Sequence, residues 1–139
     1  VIIESPGFLP NEKGLSNLML LADMSGKVDK ATARKAMVTL GLGPDEKKPV
    51  GKYSLGQRQR LGFAQAFMEN PDVLILDEPF NAMDKASMEE VHDLLQQFKR
   101  DGKTIILASH SATDIEKACD IVYEMENGNL NVIQNKTVN

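Results

Sequence analysis

Apolar residues recur at helical spacing through the first half of the chain. Gly14 to Ala22 carries Leu15, Leu18, Met19 and Ala22 on one stripe. Asp29 to Leu40 repeats the pattern with Ala33, Ala36, Met37 and Leu40, then stops at Gly41-Leu42-Gly43-Pro44. A polar connector from Asp45 to Tyr53 is broken by Pro49 and Gly51. Ser54 to Glu69 is a third helix, ended by Asn70-Pro71. Its two apolar rows, Leu61-Ala64-Met68 and Phe63-Phe67, predict burial over most of its circumference.

The second half alternates differently. Val73 to Leu76 is a short uninterrupted apolar run, the pattern of a strand covered on both faces. Asp84 caps a helix with Met88, Val91, Leu94, Leu95 and Phe98 at core spacing. Thr104 to Ala108 is a second buried strand, followed by a short helix from Ser111 to Ala118. Ile121 to Met125 and Leu130 to Ile133 are strands joined at Asn127-Gly128, a hairpin turn pair. Strand–helix–strand–helix–strand predicts an α/β fold with a mainly parallel sheet, right-handed crossovers and an antiparallel edge hairpin. Residues 1–70 form a helical part and 71–139 a sheet part. Val1-Ile2-Ile3 resembles the end of a strand whose beginning is missing, and the chain does not open on Met. Both features predict a piece of a longer cytosolic polypeptide, with an exposed strand edge and apolar face that favour self-association.

Composition narrows the functional classes. The 139 residues hold 16 Lys+Arg against 20 Asp+Glu, a net charge of −4, which disfavours a nucleic-acid or anionic-membrane binder. The single cysteine, Cys119, excludes a disulfide framework and is assigned to the core. No apolar run approaches the roughly 20 residues that span a bilayer.

Candidate chemistry collects at the strand ends, where parallel sheets bind ligands. The first strand runs into Asp77-Glu78-Pro79 and the second into Ser109-His110, bringing two acids and a histidine to one sheet edge. Ser54-Leu55-Gly56-Gln57 opens the third helix. Ser-x-x-Gln is a capping box, and the same geometry offers amides, a hydroxyl and the positive end of a dipole to a phosphate. Gly102-Lys103-Thr104 imitates the end of a phosphate-binding loop. However, Gln97 stands where the first glycine belongs, and the tripeptide precedes a strand instead of following one, so it is assigned to a turn. His92 is assigned to the surface, Lys99-Arg100 to a helix end, Arg58 and Arg60 to acids or solvent, and most methionines to core stripes.

In this order the motifs resemble the ATP-binding subunit of ABC transporters. Tyr53-Ser54-Leu55-Gly56-Gln57 is similar to the signature motif, and Val73-Leu74-Ile75-Leu76-Asp77-Glu78-Pro79 to the Walker B strand with its catalytic glutamate. Phe80-Asn81-Ala82-Met83-Asp84 resembles the D-loop, and His110 falls at the switch histidine. Glu4-Ser5-Pro6-Gly7-Phe8-Leu9-Pro10 resembles the Q-loop segment. Pro6-Gly7-Phe8 and the signature together look most like bacterial exporters of the bacitracin and lantibiotic-resistance type. The pattern departs at Tyr53, where leucine is usual, at Leu55, where glycine is commonest, and at Glu4, where glutamine gives the loop its name.

The resemblance implies a partial P-loop NTPase fold of the ABC type. It also implies a head-to-tail dimer with a second ATP-binding subunit, ATP and Mg²⁺ as cofactors, and transmembrane permease subunits. Carried over, Ser54, Leu55, Gly56 and Gln57 face the nucleotide of the partner. Asp77 holds Mg²⁺, Glu78 is the general base, His110 orients the attacking water, Asp84 couples the two sites and Glu4 approaches Mg²⁺ or water. The 139 residues contain no G-x-x-x-x-G-K-[ST], so the chain alone is expected to be inactive. It would work in the cytoplasm, peripheral on the inner face of the membrane, energising export of a small molecule or peptide. Two alternatives carry different features. A soluble non-transport ABC ATPase would show long coiled coils or two cassettes, and a stand-alone interaction module would offer its signature motif to a partner ATPase.

Overall fold

A computed structural model describes residues 7–81 and 83–136. Three helices come first. Helix α1, Gly14–Ser25, ends where Gly26 turns left-handed at φ 65° and donates its N–H to the Ala22 carbonyl, as a C-terminal glycine can without strain. Helix α2, Lys30–Thr39, starts on Asp29, whose carboxylate accepts from the Thr32 amide at 2.8 Å. The connector is pinned to the segment before α1: Val50 donates to Glu12 O at 2.8 Å and Gly51 to Pro10 O at 2.7 Å. A short 3₁₀ turn, Val50–Lys52, then leads into α3, Leu55–Met68. Beyond Leu55 no residue of α3 is exposed, as its two apolar rows predicted.

Strand β1, Val73–Asp77, pairs in parallel with β2, Thr104–Ala108, in a register from Val73↔Thr104 to Asp77↔Ala108. Helix α4, Lys85–Arg100, connects them, and α5, Ala112–Ala118, follows β2. One apolar cluster runs through both halves of the chain, from Leu18, Leu61 and Phe63 to Leu74, Leu76, Val91 and Leu95. Phe67 links α3 to α4 by lying 4.7 Å from Phe98, ring to ring. The Gly102-Lys103-Thr104 stretch is the turn into β2, with Lys103 bonded to Asp72 at 2.8 Å.

Two expectations change. Leu74 and Leu76 are 1% exposed, but Val73 and Ile75 are 53% and 40% exposed, and Ile106 on β2 is 55% exposed. The strand pair is therefore covered on one face only among the described residues. An uninterrupted apolar run shows that both faces are oily; it does not show what lies over each. Among the described residues the hairpin, β3 (Ile121–Glu126) and β4 (Asn129–Asn135), pairs only with itself, as one two-stranded sheet, with the β1–β2 ladder as another. Its turn is as predicted: Asn127 and Gly128 both take positive φ, 50° and 81°, which suits the right-handed twist of the flanking strands. The Val1-Ile2-Ile3 strand lies outside the described residues.

Candidate functional site

The end of β1 and the end of β2 lie side by side, and their polar groups meet. Glu78 follows β1 with its backbone at φ 45°, a left-handed conformation that L-residues other than Asn, Asp and Gly seldom adopt. Its N–H donates to Ala108 O at 2.9 Å, extending the parallel ladder by one step. That bend carries the side chain towards β2. There the carboxylate accepts from the His110 amide at 2.8 Å and from the Ser109 hydroxyl at 3.2 Å. The His110 ring is fully exposed, with Nε2 3.6 Å from Glu78 Oε1. A carboxylate held by two donors beside an exposed imidazole can accept a proton from a bound water and keep that water oriented.

Asp77, the last residue of β1, is exposed beside this pair. Among the described residues no group of three or more His, Cys, Asp or Glu side chains could cage a metal. One exposed carboxylate does fit Mg²⁺, which keeps several waters and takes only one or two protein carboxylates alongside phosphate oxygens.

At the start of α3 the capping box is fully formed. Ser54 Oγ accepts from the Gln57 amide at 3.1 Å, and Gln57 Oε1 accepts from the Ser54 amide at 3.0 Å. Lys48 donates to the same Gln57 oxygen at 3.2 Å and sits 5.4 Å from the centre of the Tyr53 ring. Ser54 and Leu55 are exposed, whereas Gly56 and Gln57 are half-buried. Tyr53 is core: it is 4% exposed, with its hydroxyl close against Gly14. Burial, then the Glu46 charge, push its phenol above the ordinary value. The aromatic at this departure therefore fills space between α1 and α3 and leaves the helix start unaltered.

Asp84 caps α4, accepting from the Ser87 amide and the Ser87 hydroxyl, both at 2.9 Å. Those two bonds, with Arg60 adding to them, hold its carboxyl below the usual range. Glu4 and Ala82 lie outside the described residues. Two residues gain importance that their sequence positions had not suggested. Gln59, buried on α3, donates from Nε2 to the Pro79 carbonyl at 3.1 Å, joining the signature-like helix to the turn after Glu78. A polar residue on a helix with apolar rows all round was the available signal. The surface assignment of His92 is corrected. Its side chain is 15% exposed, stacks on Phe80 at 4.5 Å and places Nε2 3.9 Å from Asp114 Oδ1. A tertiary stack with a residue twelve positions upstream leaves no periodic trace.

A sequence profile described as "ABC transporter" matches residues 1–81. The chain belongs to this family. Over 130 residues it is 41% identical to the bacitracin transport ATP-binding protein BcrA of Enterococcus faecalis, covering 93% of this chain and 42% of that protein. It is 36% identical over 121 residues to the lantibiotic transport ATP-binding protein SrtF of Streptococcus pyogenes, covering 87% of this chain and 52% of that one. The fold matches a dimeric post-hydrolysis structure of the ATP-binding cassette MJ0796 bound to ADP and Pi, with a TM-score of 0.80. That likeness covers 93% of this chain and 59% of the other at 20% identity, and so bears on the fold alone. This ABC chain spans about two fifths to one half of the length of the two named transport relatives.

Proposed function

We propose that residues 1–139 supply the signature, Walker B, D-loop and switch elements of an ATP-binding subunit. That subunit hydrolyses ATP to drive export of a small molecule or peptide through separate membrane subunits. The observation that carries this reading is the Glu78 carboxylate, fixed at the end of β1 by Ser109 and His110 from the end of β2. Glu78 takes the proton from the attacking water, and His110 keeps that water in line. Asp77 binds Mg²⁺, which when present neutralises charge on the phosphate oxygens. The α3 start presents Ser54, Leu55, Gly56 and Gln57 to the γ-phosphate of a nucleotide held by a second, head-to-tail subunit, using the Leu55 and Gly56 amides and the positive dipole end. Asp84 stands at the junction between the two sites, and Glu4 approaches the metal or its water. Phosphoryl transfer needs positioning and charge stabilisation more than covalent chemistry, and these groups are of that kind.

The names of the relatives support a peptide-antibiotic type of cargo, and the segment from Glu4 to about Leu21 is the proposed docking place for the permease. The helical part, 1–70, then faces the membrane partner, and the sheet part, 71–139, carries the hydrolytic groups. No described helix is long and apolar enough to cross a membrane; the place proposed for the subunit is the cytoplasmic face, reached through the permease.

In the whole subunit, Glu78→Gln is expected to leave MgATP binding intact and cut turnover by about 10²-fold, the scale of losing a positioned base. Turnover at the normal rate removes Glu78 from this role. In the 139-residue chain alone, excess MgATP is expected to leave the melting curve unmoved. A site filled at 100 times its Kd would instead add about 2.7 kcal/mol, and such a shift would favour a stand-alone nucleotide-binding module.

A further inference from the structure

The hydrogen bond from Gln59 to Pro79 spans twenty residues of sequence, and the donor is 1% exposed. A buried carboxamide among apolar neighbours is costly unless its hydrogens are used, and a leucine would fill the same space without that demand. The turn it reaches is fastened residue by residue. Glu78, in its left-handed conformation, donates to Ala108 O on β2 at 2.9 Å and accepts from the Asn81 amide at 3.3 Å. Pro79 accepts from Gln59 on α3, and Phe80 stacks on His92 of α4. A backbone in a sparsely populated region persists when its surroundings over-determine it, and the α3 attachment is one of those constraints. It is also the one that leads to the Ser54 end of the same helix, about one turn away.

We propose that Gln59 is a positioning residue that ties α3, one turn in from its Ser54 end, to the backbone presenting Glu78, so that displacing one displaces the other. This rests on the function proposed above. In the head-to-tail dimer the α3 start serves the nucleotide of the partner and Glu78 serves its own, so the Gln59–Pro79 bond connects the two nucleotide sites within one subunit.

The test uses three forms of the 139-residue chain: wild type, Gln59→Leu and Gln59→Glu. Amide-exchange protection factors are read by NMR at pH 7.5 and pH 5. Gln59→Leu removes the donor at every pH. Gln59→Glu removes it when the introduced carboxyl is ionised and restores an O–H donor when it is protonated, which burial favours. In Gln59→Leu the Glu78, Asn81 and His110 amides are expected to lose protection by about five- to tenfold, the scale of one hydrogen bond, with α1 and α2 unchanged. Gln59→Glu is expected to keep wild-type protection at pH 5 and to lose it only where the introduced carboxyl ionises. Unchanged protection in both variants overturns the proposal. So does an equal loss in both at both pH values, since that reports packing alone. These readings contain no nucleotide and stand apart from the ATPase reading. In the whole subunit, Gln59→Leu is expected to lower kcat about tenfold with KM unchanged. An unchanged kcat overturns the positioning role, whereas a wild-type subunit without MgATP turnover overturns the proposed function and leaves the exchange result standing.

Discussion

Ser54 carries two roles that substitution can separate. Its hydroxyl oxygen accepts from the Gln57 amide at 3.1 Å, which caps α3, and the same hydroxyl is proposed to face a phosphate. Ser54→Ala removes the acceptor. The freed amide lies at an exposed helix start, so water can replace the lost oxygen, and the reciprocal bond from the Ser54 amide to Gln57 Oε1 survives. The cost is therefore about 1 kcal/mol, nearer the middle than the top of the range for N-caps, or about 3 °C in Tm for a domain of this size. Ser54→Asp keeps an acceptor and adds a charge that suits the dipole, so its Tm is expected within about 1 °C of wild type. The same carboxylate repels phosphate. Differential scanning fluorimetry reads the first quantity, and MgATP-dependent association of the whole subunit by analytical ultracentrifugation reads the second. The expected pattern is a less stable Ser54→Ala, with Ser54→Asp stable but no longer associating. Equal Tm values for all three proteins would refute the cap argument, and nucleotide-driven association of Ser54→Asp would refute the phosphate-facing role.

Three further outcomes follow from the packing and the charges. Leu76→Ala, at a position 1% exposed, is expected to cost about 3 kcal/mol in urea unfolding, against about 1 kcal/mol or less for Ile75→Ala at 40% exposure; equal costs would mean that both faces of β1 are covered. A Cβ on Gly51 would sit 2.9 Å from the Pro10 carbonyl oxygen and 3.2 Å from the Pro10 Cβ, so Gly51→Ala is expected to destabilise by about 1–3 kcal/mol, and an unshifted urea midpoint would contradict the close approach. Burial, the largest influence, holds the His92 imidazole below its ordinary value, with Lys117 adding to it and Asp114 and Asp93 opposing. The folded chain therefore binds this proton less readily than the unfolded one. Its contribution is full above about pH 6.5 and falls as pH drops below that, so His92→Gln is expected to flatten the decline in stability between pH 7.5 and 5.5; parallel declines would remove His92 from the effect.

Local chemistry was legible in the sequence and long-range placement was not. Ser54 and Asp84 were readable as helix caps because each needs an amide only three residues away. The Asn127-Gly128 turn was readable because its dihedrals are decided within two residues. The convergence of Asp77, Glu78 and His110 followed from a general property of parallel strands. By contrast, the φ of Glu78 and the donors on its carboxylate depend on β2, more than thirty residues downstream. Gln59 showed only as a polar letter within a helix. The sidedness of β1 depends on what covers it, and a run of Val, Leu and Ile is the same in either case.

The backbone at Glu78 places two demands on one position. The proposed chemistry asks for a carboxylate on a two-methylene stem, while a φ of 45° favours Gly, Asn or Asp. Exchange to Gly or Asn relieves the backbone as it removes the carboxylate, so loss of the proposed base need not bring loss of folding. Under the proposed head-to-tail arrangement, a folded variant subunit of that sort would still pair with its partner. It would thus lower the output of wild-type copies that pair with it, an interference out of proportion to its own share of the population.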